Sequence, residues 1–183
     1  MDSLEAQPSN AKLATQTIVT LNTLGAAQSA ASQNTSAVDT FRRAIEIGRQ
    51  LLARWPDQPT YRRDLVLSYN HLGLSLSKTH ELAAAQTAFD QALVIGRPLA
   101  TRFADDAETQ SMLGGVLNNL GFLCQQLGDP QAASDAYQEA VEHQSTAVRL
   151  APEVKRYRQY LKKHQENYET VATTFSNNRR AGS

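Results

Sequence analysis

The stretch "VLSYNHLGLSL" at residues 66–76 contains the four-residue pattern Asn-x-Leu-Gly, and the chain repeats this pattern three times. The other copies lie in "TLNTLGAAQ" at residues 20–28 and "VLNNLGFLCQQLG" at residues 116–128. Their glycines, Gly25, Gly73 and Gly121, are each separated by 48 residues. A fixed spacing of this size is typical of stacked structural repeats, in which each unit buries its apolar face against its neighbours.

The period extends beyond the glycine. A leucine precedes each glycine, and an alanine, an aromatic residue and a second alanine follow it at 12, 16 and 19 residues. The sequence therefore predicts three copies of one structural unit. The residues of this repeat signature are Leu24, Gly25, Ala37, Phe41, Ala44, Tyr69, Leu72, Gly73, Ala85, Phe89, Ala92, Leu120, Gly121, Ala133, Tyr137 and Ala140.

Within one unit the apolar residues recur at steps of three and four, which is typical of an amphipathic helix. One such stripe includes Tyr61, Leu65 and Leu72 and predicts a first helix, A. A second stripe includes Phe89 and Leu93 and predicts a partner helix, B. Each unit is therefore predicted to be two antiparallel helices. The predicted fold is all-α, a solenoid of three antiparallel helix pairs followed by a C-terminal capping helix.

The turn "LGDPQAA" in the third copy separates the two helices most clearly. Gly128 is suited to a left-handed residue after helix A, Asp129 to the N-cap of helix B, and Pro130 to its first position. In the second copy Pro98 lies inside the expected helix B, where it lacks a backbone N–H. We therefore predict a kink or break of that helix around residues 96–98.

The resulting domain plan places the solenoid at residues 11–175. Repeat 1 covers about 11–57, repeat 2 about 59–105 and repeat 3 about 107–152, and the capping helix covers about 155–175. Disorder is predicted for residues 1–10 and 176–183. The capping helix is predicted to cover the last apolar face with Tyr157, Leu161, Tyr168, Val171 and Phe175, while Lys155, Arg156, Arg158, Lys162 and Lys163 face water.

Composition argues against several classes of function. The 18 basic and 18 acidic residues give a formal net charge of zero, which disfavours nucleic acid and anionic membranes as partners. The single cysteine, Cys124, cannot form an internal disulfide, and no signal peptide is visible, so we expect a cytoplasmic protein. Neither a metal-ligand motif nor a phosphate-binding loop is present, so we expect no metal, no cofactor and no enzymatic activity.

The signature resembles the tetratricopeptide repeat over about residues 11–175. The 48-residue units are longer than that family's usual repeat and are similar to those of kinesin light chains and of some bacterial serine/threonine protein kinases. The resemblance implies that leucine packs between helices A and B, that the glycine and the first alanine let the two backbones approach closely, and that the aromatic residue fills the gap to the next unit.

The resemblance also implies a function. In this family the A helices line a concave groove that binds an extended peptide or a partner helix, and the partner here is accordingly expected to be a protein or peptide. Polar residues of the A helices, with Leu74 and Phe122 for apolar contact, are the candidate ligand contacts. The predicted groove residues are Asn22, Arg63, Asn70, His71, Leu74, Lys78, Asn118, Asn119, Phe122, Gln125 and Gln126, flanked by Lys163, Glu166 and Asn167.

Two alternatives stay open. The asparagines of the repeat, Asn22, Asn70 and Asn118, grip a peptide backbone in the first interpretation and cross-link neighbouring A helices or face solvent in the second. The chain itself is either an interaction module or a structural element that self-associates through its terminal repeats. It can also be one segment of a larger signalling protein such as a protein kinase. The expected state is a monomer or a weak homo-oligomer. A monomer favours the interaction module, and concentration-dependent oligomers favour the structural element.

Overall fold

The computed structural model of the chain describes residues 8–181, and the side chains of residues 11–173. This range is entirely helical apart from the connecting turns, and it contains no strand. The helices form three antiparallel pairs followed by a single helix, so the chain has the all-α solenoid fold that its sequence predicts. Their bounds are α1 Pro8–Ala30, α2 Asn34–Arg54, α3 Pro59–Lys78, α4 Leu82–Arg102, α5 Ala107–Gln126, α6 Pro130–Leu150 and α7 Lys155–Ala181.

The chain divides into two compact units, of which the first ends at Ile95 and the second begins at Gly96. In the first unit α1 packs on α2, α2 packs on α3, and α1 also contacts α3. In the second unit α5 packs on α6, α6 packs on α7, and α5 also contacts α7. The A helices of the repeats are α1, α3, α5 and α7. Two A helices are therefore direct neighbours in each unit, which brings their polar residues together.

Two predicted boundaries differ from the structure. Helix α1 begins at Pro8, inside the segment predicted to be disordered, and α7 continues past residue 175 to Ala181. The continuation of α7 is consistent with its composition, since the added residues include no proline and no glycine before 182. The rest of the two predicted disordered segments, and the side chain of Phe175, lie outside the described residues.

Each signature glycine makes room for the aromatic residue of its own helix pair. A Cβ atom added to Gly25, Gly73 or Gly121 would lie 2.6 to 2.7 Å from the ring of Phe41, Phe89 or Tyr137, closer than van der Waals contact allows. The glycine therefore accommodates a side chain of helix B, whereas the family resemblance implied a role in the close approach of the two backbones. The six signature alanines, at 37, 44, 85, 92, 133 and 140, are all fully buried.

The turn inside each helix pair has the same backbone conformation. Ser32, His80 and Gly128 are 48 residues apart and all have a positive φ, of 61°, 63° and 77°. In each turn the residue that follows donates its N–H to a carbonyl five residues earlier, as in Asp129 to Cys124 at 2.9 Å. Asp129 also accepts a hydrogen bond from the N–H of Ala132 at 2.9 Å, which confirms its predicted role as an N-cap.

The predicted break at Pro98 does not occur, because α4 is continuous from Leu82 to Arg102. Pro98 is exposed, so the hydrogen bond that it lacks is lost on the solvent side of the helix. Polar contacts hold α4 on both sides of the proline. Arg97 forms a bidentate ion pair with Glu139 of α6, and Gln110 Nε2 of α5 donates to the carbonyl oxygen of Ala100 at 3.0 Å.

Candidate peptide-binding surface

In the first unit, two polar contacts join the neighbouring A helices α1 and α3. The hydroxyl of Ser68 shares its hydrogen between Asn22 Oδ1 at 2.9 Å and the carbonyl oxygen of Asp64 at 2.8 Å. Further along the same two helices, Lys78 Nζ donates to Ser29 Oγ at 2.8 Å. Three of the four residues that join the helices are at least partly exposed, whereas Ser68 is buried. The sequence did not single out Ser68, although it lies close to one repeat length after Asn22.

The other groove residues predicted for this unit differ in their surroundings. Asn70, Leu74 and Arg63 are half-buried on α3. His71 packs against the ring of Phe41 on α2, with ring centroids 5.2 Å apart. Its Nδ1 is buried and has no hydrogen-bond partner among the described residues, and this burial lowers the pKa of the His71 imidazole. His71 therefore contributes to the packing of α3 on α2 as well as to the candidate surface.

A buried carboxyl group, Asp64, also lies on α3, one helical turn before Ser68. Its Oδ2 atom has no hydrogen-bond partner within the described part of the chain, and burial raises the pKa of this carboxyl group. Sequence analysis did not identify Asp64, because an acidic residue on a helix is usually solvent-exposed. Asp64 lies four residues before Ser68 and therefore on the same buried face of α3. That spacing is the feature of the sequence that could have indicated its burial.

In the second unit, an amide pair joins α5 and α7. Asn167 Nδ2 donates to Asn118 Oδ1 at 2.8 Å. This contact repeats the arrangement of the first unit, in which Oδ1 of the repeat asparagine likewise accepts from the next A helix. Neither Asn22 nor Asn118 donates its own Nδ2–H groups to any atom of the described residues. The two asparagines thus cross-link A helices, Asn22 from a half-buried position and Asn118 from a buried one that is 7% exposed.

Apolar and polar residues surround this amide pair on α5. Phe122 is 51% exposed, an unusual position for an aromatic side chain in a helix that packs on two others. Gln125 and Gln126 are exposed and Asn119 is half-buried. Gln125 accepts a hydrogen bond from the hydroxyl of Tyr137 at 2.6 Å, which ties it to helix B of its own pair. On the neighbouring α7, Lys163 and Glu166 are exposed at the flank.

The second unit is held together by a fully buried glutamine, Gln144 of α6. Its Oε1 accepts from the hydroxyl of Ser111 on α5 at 3.0 Å, and its Nε2 donates to the carbonyl oxygen of Tyr157 on α7 at 3.0 Å. One side chain therefore connects α6 to both A helices that carry the amide pair. Gly114 permits this arrangement, since a Cβ atom there would lie 3.1 Å from the carbonyl oxygen of Ala140.

His164 of α7 is buried beside α6, and its environment predicts an acid-sensitive fold. Burial lowers the pKa of this imidazole to about 4, partly opposed by a hydrogen bond to the backbone at Ala140. In the unfolded chain the imidazole is protonated once the pH falls below its ordinary pKa of 6.5, whereas in the folded chain it is protonated only near pH 4. Stability should therefore fall as the pH drops from about 6.5 to about 4.

We expect the His164→Leu variant to lose this pH dependence. Between pH 7 and pH 4.5 the wild-type chain should lose about 2 kcal/mol more of its free energy of unfolding than the variant does. Urea denaturation of both proteins at the two pH values measures the difference. Equal losses in the two proteins would show that His164 is protonated as easily in the folded chain as in the unfolded one.

Residues 8–181 hold no helix with the length and apolar character needed to cross a membrane. Within that part of the chain, the His, Cys, Asp and Glu side chains form no group of three or more that could hold a metal ion. Cys124 is buried beside Ala133, Tyr137 and Val171.

Comparison with known proteins adds one match. Residues 115–152, which cover most of the third helix pair, match the family model of the tetratricopeptide repeat. This match and the all-helical repeat structure together support a tetratricopeptide-repeat protein. Repeats of this family generally mediate protein–protein interaction and have no catalytic role. A search of curated proteins gave no significant match.

Proposed function

We propose that this chain is a non-catalytic interaction module whose A helices bind an extended peptide or a partner helix. The partner is a protein or peptide, the module acts as a scaffold, and its setting is the cytoplasm. The observation that carries the proposal is the hydrogen bonding of the repeat asparagines Asn22 and Asn118. Oδ1 of Asn22 and of Asn118 accepts from the next A helix, while their Nδ2–H groups have no acceptor in the described chain.

This state suits recognition of a peptide backbone. An asparagine whose acceptor is already engaged is held in one orientation, so less side-chain entropy is lost when its donors bind a ligand. The ligand atoms that such donors take are carbonyl oxygens, which every peptide has whatever its sequence. The contact between A helices and the contact with a ligand are therefore compatible, and the two interpretations of the asparagines do not exclude one another.

Apolar contact would supply the selectivity that backbone recognition lacks. Phe122 is the largest exposed apolar side chain near the amide pair of the second unit, and Leu74 is half-buried in the first unit. Aromatic residues in such positions often dominate the binding energy of an interface. We therefore propose that Phe122 selects ligands with an apolar side chain, while the asparagines bind the backbone.

The asparagine contacts can be tested with peptides selected from a random library on the wild-type chain. We expect the Asn22→Ala, Asn118→Ala double variant to bind several peptides of unrelated sequence about 5- to 100-fold more weakly, since each lost hydrogen bond contributes about 0.5 to 1.5 kcal/mol. The loss should be similar for all of them, because the backbone is what the asparagines recognise. Isothermal titration calorimetry measures the affinities.

Two controls accompany this test. The Gln138→Ala variant changes an exposed amide on helix B of the third pair and should leave every affinity unchanged. The Phe122→Ala variant should weaken only those peptides that carry a large apolar residue. Unchanged affinities in the double asparagine variant, with helicity intact by circular dichroism, would refute the proposed role of the asparagines.

A second function, self-association through a terminal helix, has separate support. Leu13 and Leu24 on α1 are large apolar side chains that are exposed. Leu24 belongs to the repeat signature, and the family resemblance placed it between helices A and B, where the equivalent Leu72 is buried. The exposure of Leu24 therefore corrects that expectation. It leaves two large apolar side chains exposed on the outer face of α1.

A further inference from the structure

The outer face of α1 carries a stripe of residues at alternating steps of four and three. This stripe, here called the α1 outer stripe, consists of Leu13, Thr17, Thr20, Leu24 and Ala27. Spacing of this kind keeps residues on one side of a helix and is the spacing by which two helices pack along their length. The positions that lie three repeat lengths further on, in α7, are Tyr157, Leu161, His164, Tyr168 and Val171.

In α7 these positions form the contact with the preceding helices of the second unit. Tyr157, His164 and Val171 are only 5%, 4% and 3% exposed. Val171 packs in one cluster with Cys124 and Tyr137, and the backbone of Tyr157 accepts from Gln144. The repeat therefore uses this stripe of an A helix to pack on the helices that come before it.

In α1 the described residues of the same unit leave this stripe uncovered. Leu13 is 62% exposed and Leu24 is 48% exposed, while Thr20 and Ala27 are also exposed and Thr17 is half-buried. The inner side of α1 is packed on α2 through Ile18 and Leu21. The α1 outer stripe thus has the spacing of a helix–helix contact but presents it to solvent.

The chemistry of α1 lowers the cost of burying this stripe. Lys12 is the only charged residue between Pro8 and Ala30. The hydroxyls of Thr17 and Thr20 donate to the carbonyl oxygens of Leu13 and Gln16, at 2.9 and 2.8 Å. Because both threonine hydroxyls already have a partner within the helix, their burial would leave no donor unpaired.

We propose that the α1 outer stripe is the interface between two copies of this chain, which pair α1 against α1 about a two-fold axis. In such a pair each residue meets residues of the same surface, so any charge on that surface would oppose its own copy. The α1 outer stripe has no charge and avoids this repulsion. The other terminal helix, α7, exposes Lys155, Arg156, Arg158, Lys162 and Lys163 and is unsuited to self-pairing.

The first test is the mass of the full chain in solution. Sedimentation equilibrium between about 1 and about 200 µM is expected to show a reversible dimer. The Leu24→Lys variant places two like charges at the interface and should raise the dimer Kd at least tenfold, a free-energy change of about 1.4 kcal/mol or more. The matched control is Val94→Lys, which changes an exposed apolar residue on α4 and should leave the dimer Kd unchanged.

The second test locates the contact by disulfide cross-linking. Thr20 is the middle residue of the stripe, so either a parallel or an antiparallel two-fold pair brings position 20 close to position 20 of the second copy. In a Cys124→Ala background, Thr20→Cys should form a covalent dimer under mild oxidation, whereas Lys163→Cys on α7 should not. The cross-link should be lost when Leu24→Lys is added.

Three results would overturn the proposal. A wild-type chain that stays monomeric at the highest concentration has no such interface. A dimer that Leu24→Lys leaves unchanged, or that cross-links through position 163 and not through position 20, uses another surface. The peptide affinities of the asparagine variants do not bear on these outcomes, because Asn22 and Asn118 lie outside the stripe. Failure of this proposal and failure of the peptide-binding proposal are therefore distinguishable.

Discussion

Replacing Phe89 with alanine is expected to lower the free energy of unfolding by about 3 to 5 kcal/mol. Phe89 is fully buried, and its ring lies against Gly73, where there is no side chain to move into a vacated space. The cavity would therefore persist, and the cost of a cavity adds to that of the lost apolar burial. Urea denaturation followed by circular dichroism measures the change.

The matched control is another phenylalanine, Phe122, which is exposed on α5. Its replacement with alanine should change stability by no more than about 0.5 kcal/mol, because a solvent-exposed ring loses little burial. A similar loss in the two variants would show that the aromatic column at positions 41, 89 and 137 has no special place in the repeat.

The contact between Gly73 and Phe89 also predicts that the effect of Gly73→Ala on stability changes sign with the residue at position 89. In the wild-type chain Gly73→Ala should destabilise, because overpacking costs about 1 to 3 kcal/mol and exceeds the gain of about 1 kcal/mol in helix propensity. In a Phe89→Leu background the smaller side chain leaves room for the Cβ atom. There the same Gly73→Ala change should stabilise, and a double-mutant cycle measures the coupling.

The Gln144→Leu variant is expected to lose about 2 to 4 kcal/mol of stability although leucine has a similar volume. Leucine would leave the hydroxyl of Ser111 and the carbonyl oxygen of Tyr157 buried without their present partner. Each unsatisfied buried group costs about 1 to 3 kcal/mol, and the apolar burial gained with leucine offsets only part of this cost. Thermal and urea denaturation are the measurements.

The exposed Gln138 on the same helix provides the comparison for Gln144. Its amide contacts Glu142 at the surface, so Gln138→Leu should be nearly neutral. The further variant Gln144→Glu keeps the shape and the acceptor but loses the donor to Tyr157. Equal stability of the wild-type chain and Gln144→Leu would mean that the three helices of the second unit pack without this network.

The sequence predicted the helices better than the contacts between them. The 48-residue period, the paired helices and the cap at Asp129 follow from spacing and from residues that act within a few positions of themselves. Pro98 shows the limit of such local rules. A proline disfavours a helix interior by itself, but here it faces solvent and α4 is held on both sides by Arg97 and Gln110.

The sequence indicated the repeat asparagines but not the contacts that they make. A polar residue in the repeat register indicated Asn22 and Asn118, and both lie where neighbouring A helices meet. The sequence did not predict that Ser68 and Asn167 are their hydrogen-bond partners, because each partner lies on the next A helix. The sequence also did not indicate the roles of Gln144 and Asp64, because polar residues on helices are usually exposed and these two are buried.

By itself the sequence determined the repeating unit, because helix periodicity, turn residues and caps act over a few neighbouring positions. Only the tertiary structure decided which faces are covered. The identical register places His164 in the interior of one unit and Thr20 in solvent on another helix. Burial depends on which helix lies alongside, and a covering side chain can come from a distant part of the sequence, as Asn167 does for Asn118 at a separation of 49 residues.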